Sequence, residues 1–243
     1  MKRVLSLFIA SLAGAVCVTA GCGNGSLLDS ENIGTLSLSS VHHLHDGSAL
    51  AADGSGAKVL TNNLGFQITL THASVGYRSL ALVSSGTDPE CVGGNDVTIV
   101  INGSDDLLAE DLIQTSLGEH TIPLASFCSY ELVLGPSEEP AALKFHAGEV
   151  HGAHAAFHVQ GTWSKGGGAE TAFEIESEET VTASGVFEHP LHFHKGETET
   201  AKSFGVSYDV LFNGIDFGTD DASTVLAEVA SNLAGAVDIH GGH

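Results

Sequence analysis

From Gly34 onward the chain is written in short runs of alternating apolar and polar positions. "TLSLSSV" places Leu36 and Leu38 on one face. "GFQITLTHA" groups Phe66, Ile68 and Leu70 against Gln67, Thr69 and Thr71. "SLALVS", "DVTIVI", "SYELVLG", "AAFHVQGTW", "TAFEIE", "ETVTASGVF", "HPLHFH" and "FGVSYDVLF" repeat the theme, broken by Gly, Asn and Asp. A period of two with β-branched residues predicts strands, and many short strands at this spacing predict a sandwich or barrel. One stretch departs from the rule. "DASTVLAEVASNLAGAV" spaces Val225, Leu226, Val229, Leu233 and Val237 as a helix does, with Asp220 or Asp221 as its cap and Gly235 near its end. The expected fold class is all-β: an antiparallel β-sandwich with one C-terminal helix. Trp163 shares a strand face with Phe157 and Val159 and reads as core.

The first residues follow a different pattern. "MKR" precedes the apolar "VLSLFIASLAGAVCVTA", which small residues close, the layout of an export signal. "VTAGC" resembles the lipobox of bacterial lipoproteins, although Thr19 stands where that family usually has Leu, Val or Ile. The resemblance implies cleavage before Cys22 and lipid on Cys22. The expected organisation is a signal peptide over 1–21, a lipid-anchored linker over 22–33, and one β-sandwich domain over 34–243. "GPSEEPAAL" marks a sub-boundary near 135–141 or a long connection within the sandwich. Location follows: the bacterial cell envelope, with lipid as the membrane attachment.

Removing the signal and assigning Cys22 to lipid leaves Cys91 and Cys128, an even remainder in an exported chain, which predicts a disulfide. Losing Lys2 and Arg3 leaves six Lys+Arg against 30 Asp+Glu, so the net charge moves from −22 to −24. Such a surface repels nucleic acid and anionic membrane and attracts cations. The same acidity also suits solubility in a salty or crowded habitat.

The 14 histidines outnumber Lys+Arg and cluster. "HHLHDG" holds His42, His43 and His45; "HAGEVHGAHAAFH" holds His146, His151, His154 and His158; "HPLHFH" holds His189, His192 and His194; "HGGH" holds His240 and His243. On a strand, residues two apart face one side. His192 with His194, and His43 with His45, are therefore candidate bidentate imidazole pairs that need further donors. His151, His154 and His158 align if that stretch coils into a helix, and a Gly/Ala loop could also fold them over a metal. The only Met is the first residue, which disfavours soft copper(I) sites. Imidazole with carboxylate suits Zn2+ first and Cu2+ second. His72 and His120 stand apart and read as ordinary hydrogen-bonded residues.

Catalytic patterns are sparse. There is no Gly-x-Ser-x-Gly, no His-Glu-x-x-His and no phosphate-cradling glycine loop. His192, His194 and Glu199 resemble the first motif of the cupin family, with the flanking glycines displaced by one and no second motif. Copper–zinc superoxide dismutases also carry His-x-His, but their remaining ligands follow the pair, where this chain offers only His240 and His243. The sequence thus predicts a metal-binding envelope lipoprotein acting as buffer, sensor or delivery protein. Its site residues are His192, His194, His146, His151, His154, His158, His43 and His45, and its protein partner is undefined. The alternatives are a structural or interaction lipoprotein with surface histidines and, as a lesser one, a cupin-like metalloenzyme.

Overall fold

Two sheets face each other across one apolar core in the computed structural model, which describes residues 33–85, 91, 95–136, 155–194 and 199–241. The strands are β1 (Ile33–His43), β2 (Lys58–Thr61), β3 (Phe66–Val83), β4 (Val97–Asp106), β5 (Thr115–Pro123) and β6 (Ser126–Leu134). They continue with β7 (Phe157–Lys165), β8 (Thr171–Ser177), β9 (Val181–His192), β10 (Glu199–Ser207) and β11 (Val237–Gly241). A 3-10 turn, Tyr208–Phe212, leads toward the single helix α1 (Ala222–Ala236). The smaller sheet has the order β11-β10-β1-β5. The larger follows β8-β7-β3-β6-β9, with β2 and β4 also paired to β3. Neither closes into a barrel, so the all-β sandwich with a C-terminal helix is the fold observed.

One pairing departs from a purely antiparallel scheme. β1 and β10 run parallel, from Thr35 beside Glu199 to His43 beside Ser207. Parallel neighbours need a long crossover, and here the whole larger sheet lies between them in sequence. The two layers meet through side chains of alternate residues. Tyr77 of β3 stacks on Phe204 of β10 with ring centroids 5.6 Å apart. Phe66, Trp163, Phe173, Phe212 and Phe217 form an aromatic cluster at one end of the core.

β3 organises the larger sheet. Its first half pairs with β2 and β7, and its second half with β4 and β6. At the midpoint, the Gly76 N–H donates to Ala156 O and the Gly135 N–H donates to Gly76 O. A strand residue points both backbone groups the same way, so β6 and β7 lie end to end along one edge of β3. A Cβ on Gly76 would sit 2.5 Å from Gly135 O and 3.0 Å from Ala155 O, which is why glycine stands there. Both strands flanking 137–154 thus belong to one sheet.

Two bulges interrupt β3. Between Leu70 and His72, and again between Tyr77 and Ser79, the register shifts. The buried positions change accordingly from Phe66, Ile68 and Leu70 to Ala73, Val75 and Tyr77, then to Leu80 and Leu82. Each bulge turns the following side chains over.

α1 begins where the sequence predicts. Asp221 is the N-cap and its carboxylate accepts the Thr224 N–H at 2.8 Å. Val225, Val229, Leu233 and Ala236 form its buried stripe. Asn232 Nδ2 donates to Leu211 O and Asn213 O, fastening the helix to the 3-10 turn. Among the described residues no helix is long and apolar enough to cross a membrane. Cys91 and Cys128 are joined as a disulfide, with Cα atoms 6.0 Å apart.

Candidate functional site

The outer face of the larger sheet carries the one group of three metal-type donors among the described residues: His158, Glu174 and Glu176. Alternation explains how they meet. On β8, Ile175 and Ser177 are buried while Glu174 and Glu176 point outward. On β7, Phe157 and Val159 face the core and His158 takes the other side. His158 stands opposite Glu176 and Gln160 opposite Glu174. One ligand atom from each of the three residues lies within 4.8 Å of the others. His158 Nε2 is 3.0 Å from Glu174 Oε1, and Gln160 Nε2 donates to that same oxygen at 2.7 Å. Two carboxylates on one strand face repel each other, and a cation between them relieves that repulsion. His158 is buried, so its ring is held in place by its neighbours while the carboxylates remain open to solvent.

A fourth group joins from β3. The His72 and His158 ring centroids are 4.5 Å apart. Strict alternation would have sent His72 inward with Ile68 and Leu70. The bulge just before it turns it to the outer face, where three adjacent strands now contribute to one patch.

His192 and His194 behave as alternation predicts. Leu191 and Phe193 are buried, and the two imidazoles share the other side with centroids 5.2 Å apart. The rings are nearly parallel, and His192 Nδ1 is hydrogen-bonded to Ser126 Oγ at 2.8 Å. That bond holds the ring in place. No third His, Cys, Asp or Glu among the described residues completes a set with this pair.

The His43–His45 pairing is not made by a strand. β1 ends at His43, and His45 lies in the following turn, with its backbone N–H donating to Asp209 Oδ1 at 2.8 Å. His43 instead faces His240, with centroids 6.4 Å apart, and hydrogen-bonds Leu44 O. His158 lies on β7, not on a helix or loop. His146, His151 and His154 lie outside the described residues, as does Cys22.

No family model, curated protein or solved structure matches this chain. Function has to be read from its own side chains.

A second polar cluster is closed off from solvent. Lys58, the first residue of β2, shares the inward face of Leu60 and is 1% exposed. Its Nζ donates to Leu107 O at 2.8 Å, to Ala109 O at 2.7 Å and to Asp111 Oδ1. The other oxygen of Asp111 accepts the Leu50 N–H at 2.7 Å and the Tyr208 hydroxyl at 2.6 Å. Burial first, and then the Asp111 carboxylate, push the Tyr208 phenol far above its ordinary range, so it stays a neutral donor. His42, inward-facing with Leu36 and Leu38, has Nδ1 3.3 Å from Asp105 Oδ2 and Nε2 3.2 Å from Ala109 O. Both ring nitrogens face acceptors, an arrangement that a doubly protonated ring satisfies.

Burial alone would lower the His42 pKa; hydrogen bonding and attraction to Asp105 outweigh it and hold the ring above its ordinary 6.5. The sign of the linkage follows. Stability from His42 is fully present below pH 6.5 and is lost as pH rises through the raised folded value. Urea midpoints measured on either side of that window should fall toward alkaline pH. In His42→Gln that fall should flatten, and an equal fall in both proteins would show that His42 is not the group responsible.

Proposed function

We propose that this protein binds a divalent transition metal, zinc first and copper(II) second, on the outer face of its larger sheet. Convergence of His158, Glu174 and Glu176 carries the reading, with the His72 ring beside them. Imidazole nitrogen with carboxylate oxygen is the donor set that such ions prefer over calcium or magnesium. The His192–His194 pair offers a second, less complete grip. Strands β7 and β8 hold His158, Glu174 and Glu176, so coordination there needs little reorganisation of the backbone. A net charge of −22 draws cations toward the surface generally. The role is that of a buffer, sensor or delivery protein, tethered in the cell envelope by lipid on Cys22 after removal of the export signal.

A specific observation favours the competing view of a structural lipoprotein. His158 and Gln160 both hydrogen-bond Glu174, so the polar patch has internal partners without a metal. Calorimetric titration of untagged protein with zinc, repeated on His158→Asn with Glu174→Gln and Glu176→Gln, separates the two. Metal binding predicts a stoichiometric site in the parent and at least about a tenfold loss of affinity in the triple variant. Affinity should also drop below about pH 6, where protons compete for the rings. Parent protein that takes up no zinc, or a variant that binds equally well, leaves the scaffold view standing. The intact mass of the same protein extracted from membranes reports whether Cys22 carries lipid.

A further inference from the structure

We propose that Lys58 and Asp111 become joined by an intramolecular amide bond, formed when the Lys58 amine condenses with the Asp111 carboxyl inside the folded sheet. The inference does not rest on the metal reading. It starts from a nucleophile and an electrophile in direct contact, both side chains 1% exposed, where water cannot compete or later hydrolyse the product.

The surroundings match the needs of the reaction group by group. Asp111 Oδ2 receives two donors, the Leu50 N–H at 2.7 Å and the Tyr208 hydroxyl at 2.6 Å. Negative charge builds on that oxygen when Nζ adds to Cγ, so the two donors act as an oxyanion hole. Asp111 Oδ1, the oxygen that departs, lies 3.4 Å from His42 Nε2. Asp105 acts as a positioning residue, holding the opposite side of the imidazole at 3.3 Å. The backbone aims the acid: Leu112, directly after Asp111, has φ of 64°, a left-handed conformation that a leucine adopts only when its surroundings require it. Its N–H donates to His42 O at 3.1 Å, which ties the acid's loop to the histidine's strand.

Atoms and charges balance. Lys58 passes one proton to Asp111, giving a neutral amine and a neutral acid. The amine nitrogen adds to Cγ and the C=O electron pair moves onto Oδ2. Collapse expels Oδ1 as water, which takes a proton from His42 Nε2. The nitrogen sheds its extra proton and His42 recovers one. The products are one amide and one water, and no oxidant or further reactant is needed. Condensation removes one buried positive and one buried negative charge together, and leaves His42 paired with Asp105. It also leaves the local acceptors served. The remaining amide N–H can stay on Leu107 O, while Ala109 O keeps its bond from His42 Nε2.

Peptide mapping of the purified full-length chain decides the matter. The expected product is one branched peptide containing Lys58 and Asp111, lighter by one water than its two arms, with no tryptic cleavage after Lys58. Two linear peptides, with trypsin cutting after Lys58, overturn the proposal. Lys58→Arg keeps the charge but cannot form this bond and should yield only linear peptides; a persisting branch at Asp111 in that variant would also overturn it. In freshly synthesised His42→Gln the joined fraction should fall by at least about tenfold. An unchanged fraction removes His42 from the chemistry and overturns the mechanism as written.

Discussion

Replacing Asp111 by alanine is expected to cost about 3–5 kcal/mol of folding stability, the largest effect of any single side chain on the polar interior. Asp111 serves four donors at once: Lys58 Nζ, the Leu50 N–H, the Tyr208 hydroxyl and, at longer range, His42. Alanine strips all of them and strands an ammonium 1% exposed to water. It also severs β2 from the loop that follows β4, whether charge or an amide joins them. Urea unfolding followed by Trp163 fluorescence measures the loss. A paired change, Lys58→Met with Asp111→Leu, should cost markedly less, since apolar residues of similar volume carry no unpaired charge. A loss below about 1 kcal/mol for the single change would show that the cluster relaxes to admit water.

Opening the disulfide is expected to be about as damaging. Cys91 and Cys128 are 37 residues apart, and both are buried. In the chain-entropy account, closing a loop of that length restrains the unfolded chain by about 4 kcal/mol. The enclosed loop contains β4 and β5, and the crosslink fastens the connection between β3 and β4 to β6, within the larger sheet. Cys91→Ala with Cys128→Ala should lower the urea midpoint and steepen the slope, because the released unfolded chain expands and exposes more surface. Full stability retained under reducing conditions would mean that the native contacts, rather than the crosslink, restrain this region.

Much of the architecture was legible because alternation is a local property. Leu36 with Leu38, and Leu191 with Phe193, announce their faces in a few residues, and Asp221 announces its helix. The disulfide followed from counting cysteines. The parallel pairing of β1 with β10 did not, because register between distant strands is set by packing across the core. The donor patch was only half visible. His158 was marked by its cluster, but its partners come from β3 and β8, which no spacing rule connects to it. His72 was masked for a definite reason, since a bulge reverses the side it faces and the sequence carries no plain sign of that bulge. Lys58 was missed because a lysine reads as a surface residue. Its shared face with Leu60 was the available clue, and alternation likewise set His42 with Leu36 and Leu38.

The doubly hydrogen-bonded glycine at the centre of β3 has a practical corollary. Gly135 and Ala156 are clamped to the same residue, so the chain departs and returns at a single point without disturbing either strand's register. A reporter domain whose termini lie close together could be spliced between those two anchors as a pendant cargo, and the sheet beneath would keep its alignment.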